Sequence, residues 1–277
     1  MSKHANLGYF FQREYYKGIN KYILDDESQA EKYFSQQNTD LIESSKIKID
    51  FDDSLKKITD KPITLQTIYP GLVTGIGMMH ETGMLGESKL GMAFDYTTGL
   101  PYIPGSSVKG LLRSMFPLST KNSADKNSER ILEEKKKFIK NELMTINNNK
   151  FSTLSDEDIV ELSKQIFEGL KNNSYIPIYN RDVFFDAHII GDYSKSGFLS
   201  MDYITPHKNE LQDPNPIQFL KIRPNVKFAF CFRLGPSLLP SGIEVSICDK
   251  KALFEIILTT VGIGAKTNVG YGQLKKV

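Results

Sequence analysis

Pro104-Gly105-Ser106-Ser107-Val108-Lys109-Gly110-Leu111-Leu112-Arg113 is the stretch from which the rest of the chain can be ordered. Ser106 is a suitable N-cap, Val108, Leu111, Leu112 and Met115 recur at helical spacing, and Pro117 lies just past the end. The spacing predicts a short helix over about Ser107–Phe116. Towards the N-terminus, Ile63-Thr64-Leu65-Gln66-Thr67-Ile68-Tyr69 alternates as a half-buried strand does. Towards the C-terminus, Val183 to Ile190 reads as a second strand, and Phe198–Ile204 as another. Gln218–Arg223 and Lys227–Leu234 form an expected antiparallel pair around Pro224-Asn225. A helix follows over Lys250 to about Val261, with Leu253, Ile256, Ile257 and Val261 facing inward, and a short strand, Tyr271–Lys275, closes the pattern. Strand, helix, strand, strand, helix, strand is the order of an α+β, ferredoxin-like sheet.

Two regions fall outside that order. Between the first helix and the next strand lies a helical insertion, about residues 119–175. It holds a charge-dominated helix near Asp125–Thr145 and, beyond Asn147–Asn149, a helix starting at Ser155. Asp158 is there in an approximate capping-box position, and Ile159, Leu162, Ile166, Phe167 and Leu170 share one face. Residues 1–60 read as an extension ahead of the 61–277 domain. It opens with an aromatic, partly helical stretch (Tyr9, Phe10, Phe11, Tyr15, Tyr16, Tyr22), and a polar, acidic segment follows from Asp25 to Asp60.

With 277 residues, 40% hydrophobic and 25% charged, the chain has globular composition and enough length for a substantial core. Collagen-like, disordered and disulfide-stapled classes are excluded on these figures. No apolar run reaches the roughly 18 residues of a membrane-spanning helix, and the first residues lack the apolar core of a signal peptide. Cys231 and Cys248 sit in strand-like apolar surroundings, which predicts buried, reduced thiols in a cytoplasmic protein. The formal net charge is +2, but it is unevenly placed. From Ile217 onward nine Lys/Arg face three Asp/Glu, a net of +6, whereas the first 216 residues carry 26 basic and 30 acidic side chains, a net of −4. A basic C-terminal quarter suits local polyanion binding, and suits a solvated Lys-rich surface as well.

Several chemistries are missing. His4, His80, His188 and His207 are scattered without metal-ligand spacing, so neither a zinc site nor any other metal or cofactor is expected. There is no GxSxG elbow. Gly262-Ile263-Gly264-Ala265-Lys266-Thr267 is too short for a phosphate-binding P-loop and follows a helix rather than a strand.

Three motifs remain. At the first helix, a Gly-Ser-Ser turn presents free N–H groups and the positive end of the dipole, with Lys109 and Arg113 one turn apart on one face. That suits an anion, and equally an ordinary capped helix with two exposed cations. In Gly262-Ile263-Gly264-Ala265-Lys266-Thr267-Asn268-Val269-Gly270-Tyr271-Gly272, four glycines let the backbone pass close to a ligand. Lys266, Thr267 and Asn268 supply a cation and hydrogen-bonding groups, and Tyr271 a stacking face. The alternative there is a tight structural hairpin. In Met201-Asp202-Tyr203-Ile204-Thr205-Pro206-His207-Lys208, Asp202 and His207 are an acid/base pair only if the fold joins them. Otherwise this is a loop leaving a strand with an exposed aromatic and a His.

Thr98–Arg113 (TGLPYIPGSSVKGLLR) together with Gly262–Leu274 (GIGAKTNVGYGQL) resembles the RAMP proteins of CRISPR systems, in particular the family of sixth subunits of the type III-B (Cmr) effector complex. Asn6–Gly18, Tyr69–Gly83, Asp186–Ile190 and Asp202–Glu210 are similar to that family too, in the same order. The resemblance implies an RRM-like modification of the ferredoxin-like fold and a subunit that holds guide RNA (crRNA), opposite complementary target RNA. It also implies assembly with other RAMP subunits of the Cmr complex and a place capping the filament near the guide's 3′ end. It puts Gly105, Ser106, Lys109 and Arg113 near RNA phosphates, and likewise Gly262, Gly264, Lys266, Thr267, Asn268, Gly270, Tyr271 and Gly272; His207 is grouped with these RNA-binding residues. Cleavage in such complexes belongs to another subunit, through an acidic residue after the first strand. Here Glu81 and Glu87 offer no clear Asp match and Asp95 lies nearer the next strand, so no nuclease activity is expected. The alternative is a RAMP endoribonuclease using His207 or His80 as base, or Asp202 or Asp95 with a divalent metal. A module that only touches protein is a third reading.

Overall fold

The computed structural model describes residues 6–51, 53–75, 77, 80, 82–117, 126–205 and 216–277. The elements that position the site are, in chain order, α1 (Glu27–Ser44), β1 (Lys48–Ile49), β2 (Ile63–Thr67), β3 (Tyr102–Ile103) and α2 (Gly105–Ser114). Then come α3 (Lys126–Ile146), α4 (Asp156–Ser163), β4 (Ala187–Asp192), β5 (Leu199–Ile204), β6 (Ile217–Ile222), β7 (Lys227–Phe230), α5 (Ile247–Val261) and β8 (Leu274–Lys276).

Ile63, Leu65 and Thr67 are buried while Thr64 and Gln66 are half-buried, so β2 shows the period-2 pattern of its sequence. It lies inside an antiparallel sheet ordered β1-β4-β7-β2-β8, with β3 also paired along β4. Phe228 stands opposite Leu65 on one side and Ile189 on the other, and Lys275 opposite Gln66. Last strand, first, third, second is the ferredoxin-like order. The chain is thus α+β, with the helical insertion after the first core helix.

Helix starts follow local chemistry. Ser155 and Asp158 form a complete capping box at α4, and Ser246 and Asp249 another at α5. The second places the start of α5 at Ile247, ahead of the expected Lys250. In the polar N-terminal segment, the Asp26 carboxylate accepts from the Ser28 and Gln29 N–H groups and opens the 18-residue α1. α1 buries Ala30, Phe34, Asn38 and Leu41.

Two expectations are corrected. Gln218–Arg223 and Lys227–Leu234 do not pair. β6 pairs with β5, with Leu199 opposite Ile222 and Ile204 opposite Ile217, off the main sheet, while β7 inserts between β2 and β4. The Pro224-Asn225 bend is committed elsewhere: Asn225 takes a left-handed φ of 67° and its N–H donates to the Thr67 carbonyl at 2.8 Å. Cys231 is buried as expected, and burial pushes its thiol up to about 11. Cys248, however, is exposed, because it occupies an outward position in the first turn of α5.

One buried cluster joins the sheet (Leu65, Phe228, Ile189), α5 (Leu253, Phe254, Ile257), the insertion (Ile139, Leu143, Ile159, Leu162) and the N-terminal stretch (Phe10, Phe11, Tyr15). Each such side chain contributes about 1.5–3 kcal/mol by leaving water, so extension and insertion share the core that holds the sheet. Among the described residues no helix is long and apolar enough to cross a membrane.

Candidate nucleic-acid interface

α2 starts at Gly105, two residues earlier than expected, with Pro104 and not Ser106 at the N-cap position. Gly105 is required there: a Cβ would lie 2.4 Å from the Phe184 carbonyl oxygen and 2.8 Å from the Phe185 carbonyl carbon. Its N–H donates to Asp186 Oδ1 at 2.6 Å, so a carboxylate of the protein already occupies the positive end of this helix. Ser106 is exposed. Successive residues turn by about 100°, which puts Lys109 and Arg113 on one face and Ser107 and Leu111 on nearly the opposite one. Lys109 Nζ sits 5.7 Å from the centre of the Phe184 ring. Partial burial and the neighbouring Arg113 cation lower its pKa, against the pull of Asp182. Arg113 pairs with Glu168 at 3.3 Å.

The C-terminal loop is held as tightly. Gly262 caps α5 with φ 75°, and the Ile263 N–H donates to the Gly272 carbonyl at 2.8 Å. The Ala265 N–H donates to the Val73 carbonyl and the Gly272 N–H to the Gly71 carbonyl, both at 2.8 Å. At Gly264 (φ 102°) a Cβ would meet the Val73 carbonyl oxygen at 2.4 Å, and at Gly272 (φ 74°) the Ile263 carbonyl oxygen at 1.9 Å. Lys266 is left-handed (φ 61°) and opens the 3-10 turn Thr267–Val269, which leaves Asn268 exposed. Gly270 (φ 95°) closes that turn.

The stacking face expected of Tyr271 is covered. The side chain is buried, its ring packs edge-on to Phe219 with 5.8 Å between centroids, and its hydroxyl donates to Asp202 Oδ2 at 2.6 Å. Lys221 and Lys266 place their ammonium groups 5.7 and 5.8 Å from the Tyr271 and Phe219 ring centres. Tyr271 therefore fastens the loop to β5 and β6, and Tyr203 and Tyr69 are exposed aromatics of this region.

The two motifs meet through backbone and small side chains. A cleft of about 320 Å³ is lined by Ser107 and Leu111 of α2, by Gly262, Gly264 and Thr267 of the loop, and by Thr74 and Gly75. Lys109 and Arg113 point away from it, toward Phe184 and Glu168. Of α2, Ser107 and Leu111 face the loop, and the hydroxyl there belongs to Ser107, one position beyond Ser106. The i, i+4 spacing of Ser107 and Leu111 carried that signal.

The acid and base groups are committed elsewhere. Burial raises the Asp202 carboxyl, but hydrogen bonds from Lys221 and Tyr271 outweigh it and hold the group below the ordinary carboxylate range. His207 lies outside the described residues, as does Glu81. His80 is buried against Phe11, Tyr15 and Tyr16, with Nδ1 2.9 Å from the Ser88 carbonyl oxygen, and burial lowers its pKa. Glu87 accepts from the Tyr16 hydroxyl and the Thr82 and Gly83 N–H groups. Asp95 accepts from the Thr98 N–H and hydroxyl at 2.7 and 2.8 Å, closing its own turn. Among the described residues no group of three His, Cys, Asp or Glu is placed to hold a metal ion.

The RAMP superfamily model matches residues 64–275. The CRISPR system Cmr subunit Cmr6 of Pyrococcus furiosus is 27% identical over 260 residues, covering 81% of this chain and 69% of that protein. In the cryo-EM structure of the Type III-B Cmr-beta bound to cognate target RNA, one chain matches with a TM-score of 0.55 and 22% identity. That match spans 98% of this chain and 85% of that one, and it is a likeness of fold. The crystal structure of Cmr6 from Pyrococcus furiosus matches with a TM-score of 0.42 and 24% identity, over 77% of this chain and 96% of that one.

Proposed function

The chain belongs to the RAMP superfamily, and from that premise we propose that it is a non-catalytic, guide-RNA-binding subunit of a cytoplasmic type III-B CRISPR effector complex. In this reading it works as a Cmr6-like subunit, beside other RAMP subunits and the target RNA, and caps the filament near the 3′ end of the guide. The observation that carries the reading is the convergence of Ser107, Thr74-Gly75, Gly264, Ala265 and Thr267 on one cleft, in a loop whose Lys266 holds its ammonium 5.8 Å from the Phe219 ring centre. Glycine backbone and small hydroxyls there let a sugar-phosphate strand approach closely without base-specific contacts. The commitment of Asp202 to Lys221 and Tyr271, and the burial of His80, support a binding role over RNA cleavage.

The test is a filter-binding titration with single-stranded RNA at two salt concentrations. Wild type should bind in a salt-dependent way and leave the RNA intact with and without Mg²⁺. Lys266→Ala should flatten the salt slope by about 0.7 for each phosphate the side chain no longer neutralises, more than Lys109→Ala or Arg113→Ala. RNA shortened by wild type and spared by Asp202→Ala would establish the endoribonuclease reading instead.

A further inference from the structure

A second cleft, of about 790 Å³, lies at the end of the insertion, between the Leu170–Tyr175 hairpin and the Arg233–Pro236 segment. Its walls include Lys171, Tyr175, Tyr179, Arg181 and Arg233, and no Asp or Glu. Tyr175 and Tyr179 are 77% and 73% exposed although their backbone is fixed.

The fixing is local and specific. Asn172 and Asn173 both have positive φ (49° and 62°), the geometry of a tight two-residue hairpin turn. The Asn172 N–H donates to Glu161 Oε1 of α4 at 2.9 Å, which pins that turn to the insertion. Tyr179 lies within the 3-10 turn Ile178–Asn180. Arg181 Nε donates to the Ile176 carbonyl at 2.8 Å, its guanidinium lies 5.6 Å from the Tyr175 ring centre, and its stem packs on Gly169. A Cβ at Gly169 would meet Arg181 Cδ at 2.7 Å. Lys171, Arg181 and Arg233 have no carboxylate partner among the described residues. The wall continues toward α2, because Glu168, the partner of Arg113, directly precedes Gly169.

We infer that this insertion cleft binds a nucleotide unit, an aromatic base stacked on Tyr175 or Tyr179 with its phosphate against Arg233 and Lys171. Rigid, exposed aromatic faces beside unpaired cations are what a base and its phosphate need together. An apolar protein segment would leave three cations desolvated without anions, at a cost that disfavours it. The unit can be a free nucleotide or one residue of an RNA strand; the second source rests on the RNA-binding reading above, and the cleft is separate from the Gly264–Thr267 loop.

The experiment is a titration of the full chain with adenosine monophosphate, inorganic phosphate and a ten-nucleotide single-stranded RNA, beside ultraviolet cross-linking of 4-thiouridine RNA mapped by mass spectrometry. Tyr179→Ala should weaken the base-containing ligands by roughly five- to a hundredfold, the range of one base–aromatic stack, and Tyr179→Phe should restore them. Arg233→Gln should lower the salt slope for RNA by about 0.7. Cross-links should fall on Tyr175 or Tyr179. Both tyrosines are exposed, so their replacement leaves the core intact, and an unchanged urea midpoint verifies this. RNA binding with cross-links confined to the Lys266 loop and unaffected by Tyr179→Ala overturns this inference and leaves the proposed function standing. Absence of binding by all three probes overturns both. Saturable AMP binding without RNA binding supports the cleft and assigns it to a free nucleotide. Nucleotide and RNA binding unchanged in Tyr179→Ala, with loss of association to a partner subunit, makes the face a protein contact and overturns the inference.

Discussion

The helix motif Gly105–Arg113 and the loop Gly262–Gly272 look alike as sequences, each combining glycine, small hydroxyls and lysine. Their side chains are used differently. In the loop, Gly262, Gly264 and Gly272 bring the chain against itself, and the fourth glycine, Gly270, ends a turn. In the helix, Gly105 is pressed against the Phe184 and Phe185 backbone, whereas a Cβ at Gly110 would meet nothing within 4 Å. Glycine density thus marks self-approach of the backbone as readily as approach to a ligand. The groups left for a ligand are those the packing does not consume.

That contrast can be broken by substitution. The largest effect is expected at Gly272→Ala, where the added methyl would overlap the Ile263 carbonyl oxygen at a positive φ. Urea unfolding should show a loss of about 3 kcal/mol or more. Gly105→Ala should cost about 2 kcal/mol, since the strain there is overlap alone and α2 can shift slightly. Asp202→Asn removes a charged acceptor from Lys221 and Tyr271 and should cost about 1–2 kcal/mol near neutral pH. Because the Asp202 carboxyl is held below its ordinary value, its contribution is complete above about pH 4 and fades as pH falls through the depressed value. Denaturant titrations of wild type and variant should therefore converge in acid. Smallest, and opposite in sign, Gly110→Ala should stabilise by about 0.5–1 kcal/mol, because it sits exposed in a helix interior. A destabilised Gly110→Ala would mean that α2 contacts something at that face.

What could be read from the sequence was mostly what neighbouring residues decide. The Ser155-Asp158 capping box, the charged helix near Asp125–Thr145 and the alternation of Ile63–Thr67 depend on residues within a few positions of one another. The pairing of Gln218–Arg223 did not, because Pro224-Asn225 resembles a hairpin turn until Thr67 claims the Asn225 N–H. α1 was hidden because Ala30, Phe34 and Leu41 are diluted among polar residues, so its mean hydropathy is low even though one stripe is buried. At the candidate site, residue types were legible and directions were not. Thr267 lies at the cleft, but Lys266 extends over Phe219, Asp186 occupies the helix start, Lys109 and Arg113 face the insertion, and Tyr271 is spent on Asp202. Each outcome turns on a partner distant in sequence.

The joining of Gly71 to Gly272 and of β2 to β8 has a kinetic meaning as well. The loop's shape depends on residues from near the two ends of the matched domain, so it cannot form while either is still undocked. Closing so long a connection is slow, and its entropy must be lost before the contacts compensate. On that ground the cleft is expected to be among the last features to appear during folding. A chain stalled before β8 docks would already own most of its core, yet it would have no glycine loop to offer an RNA strand.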